Sequence, residues 1–433
     1  MPSSILEGAT PMKRTSFPLR AYEAFFIFGG LSRGFTLCVV TLVFLSRGFS
    51  LAQLSLGMAL QSAVSMLLEL PSGMAGDLWG RKRVWIAGRA FSLAALMLYL
   101  FCSGPVLYLA FLCNGAASAL SSGTIDAMFL DGWLAARGPG SLNKASMVRT
   151  VADTGGLAVG ALAGGLLSSV AFWRPYTLNL LANAAMLGCM FLTAALFLPA
   201  DPPRPRPTGQ SAGPLRLLLA QGAATAGAAA AAPALMVSLL GGTLLGFVMI
   251  GPEAYWQPRL LELAGVAPGV LLGVLSCASM FGAVAGSFLT ERLSHRLKKP
   301  MGMYLLTRGL HLFCLAALAF ARSVPAFCAW FVLYYLMLGM HSTADDVLLH
   351  THVPGAVRGS VMSVQSLLVS GGVAVSQLAA AAVLARGAIP ALWLMQAAVL
   401  ALGTALCLAW YLGTRWHRPP VNAGLHPDLG QMR

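Results

Sequence analysis

Apolar stretches of about twenty residues recur along this chain from Ala21 to Leu412, separated by short polar breaks, and no other feature restricts the fold as much. A hydrocarbon core roughly 30 Å thick is crossed by a helix of about 20 such residues. Only 10% of the residues are charged and 58% are hydrophobic, whereas a soluble domain carries about 25% charged residues. So few charges cannot build a water-facing surface, and the bilayer is the main solvent. The pattern predicts an all-α integral membrane protein.

Twelve transmembrane helices are expected, at 20–46, 52–75, 84–103, 105–130, 146–170, 175–198, 234–257, 267–290, 301–321, 324–348, 360–385 and 389–413. Asp201-Pro-Pro-Arg-Pro-Arg-Pro-Thr-Gly-Gln follows the sixth, and its prolines exclude both helix and membrane core. The expected organisation is a cytoplasmic segment 1–19, a six-helix bundle 20–198, a cytoplasmic linker 199–233, a second six-helix bundle 234–413 and a cytoplasmic tail 414–433. The Ala-rich stretch Ala223 to Ala232 reads as a surface helix or a loose linker.

The formal charge of +14 raises the question of a polyanionic partner. With the N-terminus in the cytoplasm, 20 of the 28 Lys and Arg fall on the cytoplasmic side and five on the other, leaving Arg33, Arg89 and Arg308 within spans. That asymmetry is the positive-inside rule, so the basic balance needs no nucleic acid. The eight cysteines all lie in apolar runs without a CxxC pair, and read as small hydrophobes instead of a disulfide or metal framework. The first apolar run is too long for a signal-peptide core and reads as an uncleaved span.

Spacing points to a duplication. Asp77 and Asp131 are 54 residues apart, as are Glu291 and Asp345, and a shift of 214 also lays Lys144 on Arg358. Each acidic pair follows the second and fourth spans of its half. Two such halves are expected to form pseudo-symmetric bundles related by an axis along the membrane normal.

After the second span the chain reads Gly73-Met-Ala-Gly-Asp77-Leu-Trp-Gly80-Arg81-Lys82-Arg83. Glycines permit a tight turn and close helix approach, and an acid at a helix end can face the positive N-terminus of another helix. The segment resembles the GxxxDxxGRxx loop signature of the major facilitator superfamily, departing from it at Leu78, where the family usually has a basic residue. Ser287-Phe-Leu-Thr-Glu291-Arg292-Leu-Ser-His295-Arg296 is similar to a degraded second copy without the glycines. The resemblance implies that Asp77 faces the start of the eleventh helix at Arg358-Gly359-Ser360 and that Arg81 reaches Asp131. Gly73, Asp77, Gly80, Arg81, Lys82, Asp131, Glu291, Arg292 and Asp345 would then form a conformational switch that holds the cytoplasmic side closed. Glu69, in Leu-Leu-Glu69-Leu-Pro71-Ser-Gly73, resembles a recurring family stretch and would support the adjacent loop.

In the fifth span Gly156, Gly160 and Gly164 repeat every four residues, giving a face that a neighbouring helix can approach closely. This run resembles the fifth-helix glycine motif of family antiporters, with Ala161 where those proteins have proline. The fourth span lacks the arginine of the family's drug/proton antiporters, since Phe111 stands four residues before Gly115.

Ionisable residues inside spans cost roughly 2.5–3.5 kcal/mol each on insertion scales and are functional candidates. Arg33, Asp126, Glu253 and His341 are the candidates for substrate binding or proton coupling. Arg33 lies on the first helix, which with the fourth, seventh and tenth lines the central cavity in the family. Histidine has an ordinary pKa near 6.5 and suits proton transfer. Arg149 and Asp153, four residues apart, are expected to pair on one helix face. Arg89, Arg308 and His311 lie on the third and ninth spans, which are peripheral in the family. Asp346, beside Asp345, completes the tenth-span acidic set.

The resulting expectation is a secondary active transporter working by alternating access: a proton-coupled exporter, by antiport, of a small organic molecule such as a drug, siderophore or secondary metabolite. The bacterial inner membrane is its expected place, with both termini cytoplasmic and no oligomer, cofactor or metal required. A proton-coupled importer of a small nutrient or organic anion is the alternative, as is, from another class, a non-transporting receptor or scaffold. No Ser/His/Asp, HExxH or paired-carboxylate motif suggests an enzyme.

Overall fold

The computed structural model of the chain describes residues 19–138, 141–199, 214–266, 269–294, 296, 300–353 and 357–416. Among them there are helices and no strand. In chain order these are α1 (Leu19–Leu37), α2 (Val40–Ser46), α3 (Leu51–Trp79), α4 (Arg81–Phe101), α5 (Tyr108–Ser121), α6 (Thr124–Arg137), α7 (Leu142–Ser168), α8 (Thr177–Phe197), α9 (Pro214–Ala231), α10 (Pro233–Ala264), α11 (Gly269–Ser294), α12 (Pro300–Phe320), α13 (Val324–His352), α14 (Arg358–Leu384) and α15 (Ile389–Trp416). Eleven of the described segments are long and apolar enough to cross a membrane, or twelve when α1 and α2, bent by 44° at their junction, count as one span.

The fourth span is interrupted. α5 ends at Ser121 and α6 starts at Thr124, with Gly123 in the left-handed region at φ 66°. The Ser-Ser-Gly sequence supplies the break, since glycine alone adopts that conformation without a Cβ penalty. The loop expected over Gly73 to Arg83 contracts to a single residue. α3 continues to Trp79, Gly80 turns at φ 88°, and α4 begins at Arg81. The close helix approach expected at Gly73 is not found, because a Cβ there would meet nothing within 4 Å. At the other end of α3, Ser50 and Gln53 form a capping box that satisfies two orphan amides.

The described chain falls into two compact units, one comprising Met1–Ser211 with Ala264–Met280 and the other Ala212–Leu263 with Phe281–Arg433. In the first unit α1 lies against α7 along the glycine face. A Cβ on Gly164 would lie 2.6 Å from the Phe35 carbonyl oxygen, and Gly156 and Gly160 press on the carbonyls of Ile27 and Leu31 in the same way. α1 contributes its own glycines, Gly30 and Gly34, against Asp153 and Leu157. With no side chains between them the backbones come into direct contact, and van der Waals packing replaces the hydrophobic effect as the source of cohesion in lipid. Phe25, Phe26, Trp85, Phe129 and Trp133 belong to one buried cluster of this unit.

In the second unit the Ala-rich stretch forms the second half of α9, whose Ala229 is buried with Leu235, Leu349 and Val361. The segment therefore packs as a helix. α10 continues through Pro252 and Pro258 to Ala264, past its expected end. Gly286 of α11 and Gly339 of α13 make the same kind of backbone contact as the α1–α7 seam.

Candidate functional site

Two polar assemblies lie inside these otherwise apolar bundles, one in each unit. In the first unit a cavity of about 560 Å³ is enclosed by α1, α2, α4, α5, α6, α7 and α8, with Gln61 of α3 also at its wall. Its charged lining consists of Arg33, Arg89, Asp126, Arg149 and Asp153, and its neutral polar lining includes Ser92, Asn114, Ser118, Ser121, Ser122 and Asn183. Phe25, Trp85, Leu96, Leu180 and Leu187 supply apolar wall.

Arg33 projects from α1 and pairs with Asp153 of α7, while its Nε donates to the Gly29 carbonyl at 3.2 Å. Arg149 of α7 pairs with Asp126 of α6. The expected Arg149–Asp153 pair within α7 is thus replaced by two pairs between helices. Both side chains face the cavity, where α1 and α6 offer closer partners than the next turn of α7 does. The carboxylate of each pair is just under one-third exposed, at 32% for both Asp153 and Asp126, so each pair remains partly hydrated.

Arg89 corrects a second expectation. The third span is not peripheral here, because Arg89 lines the cavity. Its Nε is buried without a hydrogen-bond partner among the described residues, and its guanidinium lies 5.4 Å from the Trp85 ring centroid. Ser121 Oγ, also on the cavity wall, is likewise buried and unpartnered.

At the far end of α4 the switch residues take defined places. Arg81 Nη1 donates to Asp131 Oδ2 at 2.8 Å, the contact that the motif implies. Lys82 Nζ donates to the carbonyls of Ala195 at 3.0 Å and Leu198 at 2.6 Å. A lysine there satisfies the orphan carbonyls at the end of α8. The side chain of Asp77 lies outside the described residues, as do Lys13, Arg14, His295, Lys298 and Lys299.

In the second unit the expected tenth-span set gains partners from α10 and α12. Arg308 of α12 donates from Nε to His341 Nε2 at 3.1 Å, from Nη1 to Thr404 Oγ1 at 3.3 Å and from Nη2 to the Gly241 carbonyl at 2.6 Å. His341 Nδ1 lies 2.9 Å from His311 Nδ1. Arginine cannot accept a hydrogen bond, so His341 Nε2 is the acceptor and the His341 proton is on Nδ1. That proton is donated to His311, whose own proton is therefore on Nε2, an atom buried without a partner among the described residues. Asp345 accepts from Ser238 Oγ at 2.9 Å.

Arg308 and His311 are 1% and 0% exposed, so the ninth span is as internal as the tenth. The family resemblance gives these two residues little weight because it places the ninth span at the periphery. The signal that does exist is their spacing, since positions three apart share a helix face. Glu291 and Arg292 are exposed, and no ion pair joins Asp345 to Arg292 among the described residues. Glu253 is exposed on α10 and has no ion pair among the described residues. No group of three or more His, Cys, Asp or Glu able to hold a metal occurs among the described residues.

A profile described as Major Facilitator Superfamily matches residues 24–344. No curated relative matches the sequence. Among solved structures, the nucleoside transporter NupG is 15% identical with a TM-score of 0.72, covering 91% of this chain and 99% of its own. A bacterial homolog of the human lysosomal transporter Spinster, inward-facing and unoccupied, is 15% identical with a TM-score of 0.65, covering 94% and 98%. The POT family transporter PepTSo is 12% identical with a TM-score of 0.66, covering 92% and 99%. At these identities the structural likeness speaks for the fold, and together with the profile match over most of the sequence it establishes that this chain belongs to the Major Facilitator Superfamily of membrane transporters, not to the enzymes.

Proposed function

We propose that the protein is a proton-coupled secondary transporter of a small organic molecule, working by alternating access and without a metal or organic cofactor. The observation that carries the coupling is the buried chain Arg308–His341–His311 beside Asp345. A proton arriving on His341 Nε2 makes that nitrogen a donor, and it can no longer accept from Arg308. The guanidinium must then find another acceptor, so protonation and side-chain rearrangement become one event. In an apolar bundle such groups are costly to insert, and their retention is explained by a proton path.

Arg81 and Asp131, with Gly73, Asp77, Gly80 and Lys82 around them, are proposed to hold the closed state on the cytoplasmic side. Glu291 and Arg292 are the weaker equivalents in the second half. Glu253 is assigned to the outer side of the substrate path. A bacterial inner membrane with both termini cytoplasmic fits the distribution of basic residues.

Export is the proposed direction, on the resemblance of α7 to the fifth-helix glycine motif of family antiporters. Import of an organic anion is the second reading, favoured by the excess of arginine over aspartate in the cavity of the first unit and by Phe111 in place of the antiporter arginine. Net proton-driven uptake into cells would overturn export.

The test of coupling is proton flux in proteoliposomes, screening hydrophobic cations, siderophore-like anions and small nutrients. His341→Gln and Asp345→Asn are each expected to abolish uphill transport while leaving substrate exchange between equal pools. Wild-type uphill flux in both variants would overturn the assignment.

A further inference from the structure

The cavity of the first unit carries an imbalance. Three arginines and two aspartates line it, and both aspartates are engaged, Asp153 by Arg33 and Asp126 by Arg149. Arg89 is left with no anion. Its buried Nε has no partner among the described residues, and its ring contact with Trp85 leaves the hydrogen-bonding edge of the guanidinium unused. Guanidinium groups recognise carboxylate and phosphate through just that edge.

Two further features converge on the same wall. Ser121 Oγ is buried and unpartnered there. Immediately beyond it the fourth span breaks, and α6 begins inside the bundle with no side-chain cap hydrogen bond, the one acid of its first turn, Asp126, being held by Arg149. The amides of a helix's first turn have no intrahelical acceptor and carry the positive end of the helix dipole, so an interrupted span presents a set of donors to the interior.

We infer that this cavity binds the anionic head, a carboxylate or a phosphate, of an organic solute between Arg89, Ser121 and the amino end of α6, with the apolar body of the solute against Phe25, Trp85 and Leu187. One bound negative charge neutralises the one surplus positive charge. Arg33 and Arg149, already paired, do not anchor the ligand. A cavity of about 560 Å³ lies within the ordinary range of small-molecule sites, roughly 300–1,000 Å³. The inference rests on the transport reading only in making this solute the cargo.

The experiment is equilibrium binding to the purified full chain in phosphatidylcholine nanodiscs, by calorimetry, with benzoate, phenyl phosphate, benzamide and benzylamine. Benzoate or phenyl phosphate is expected to bind saturably, the tighter of the two identifying the head group, and benzamide and benzylamine to bind negligibly. Arg89→Gln is expected to weaken anion binding by about tenfold or more, as for a lost charge-assisted bond. Arg89→Lys, which keeps the charge without the fork, should fall between, and Ser121→Ala should weaken binding severalfold. Size-exclusion profiles and thermal midpoints identify any variant that misfolds, and Arg89→Lys is the more conservative of the two.

Equal binding of benzamide, wild-type affinity in correctly folded Arg89→Gln, or no saturable binding of either anion would overturn the assignment. So would occupancy by added phosphatidylglycerol that neither soluble anion displaces, which would make this a lipid site. Binding needs no gradient, so the two readings fail separately. Proton flux without anion binding sinks the site alone, and anion binding without flux for any screened solute sinks the transport reading alone.

Discussion

Arg308 uses all three of its guanidinium nitrogens on three different acceptors, contributed by α10, α13 and α15. Lysine has a single ammonium and cannot reach all three. Arg308→Lys should therefore lower the unfolding free energy by roughly 2–4 kcal/mol, the sum expected for one or two lost bonds to a charged group. Thermal unfolding of the purified protein checks this, and an unchanged midpoint would mean that the three contacts contribute nothing net. At this scale the sequence was legible in residue type but not in partner choice. Arg149 and Asp153 satisfy the four-residue rule for helix pairs, yet Arg149 takes Asp126 and Asp153 takes Arg33. The rule compares only neighbours along one helix, and the cavity supplies competitors that are remote in sequence. Arg81 and Asp131 were readable for the opposite reason, because the loop motif encodes a tertiary contact as a fixed pattern.

At the level of helices, the α7 glycines offer a test in which neighbouring positions should respond with opposite sign. A Cβ on Gly156 collides with the backbone of Ile27, whereas one on Gly155 meets nothing within 4 Å. Gly156→Ala is expected to destabilise by about 1–3 kcal/mol through overpacking. Gly155→Ala should be neutral or stabilising by up to about 1 kcal/mol, since alanine is the better helix former. Folded yield after detergent extraction and the unfolding midpoint read both. The repeat of glycines was visible in sequence because its period is the helical one. The interruption of the fourth span was not, although Ser121-Ser122-Gly123 carries turn chemistry. Long apolar runs on either side make the segment look continuous, and hydropathy measures transfer to lipid without measuring backbone geometry. The inner faces of α4 and α12 escaped for a different reason, because the resemblance places the third and ninth spans at the periphery and so discounts Arg89, Arg308 and His311.

For the molecule as a whole, the recurrence of apolar runs suffices to read the spans, and the position of basic residues proposes an orientation. That orientation predicts the outcome of labelling single cysteines introduced into a variant without the eight native ones. Cysteines at Ser103 and Ser323 should react with a membrane-impermeant maleimide from outside intact cells, and one at Gly138 only after the membrane is opened. The reverse pattern would invert the topology and with it the cytoplasmic placement of Arg81 and Asp131. The α1–α7 seam carries a consequence for how the first unit can move. Its backbones touch from Gly30 and Gly156 to Phe35 and Gly164, so sliding one helix past the other would drive carbonyls into Cα atoms, and the two helices behave as a single strut. Arg33 and Asp153 are mounted on that strut, one on each member. Their bond therefore cannot be pulled apart by a tilting of helices and keeps its length as the unit moves. The Arg149–Asp126 bond, which joins the strut to the broken fourth span, is the one that a relative motion of helices can stretch.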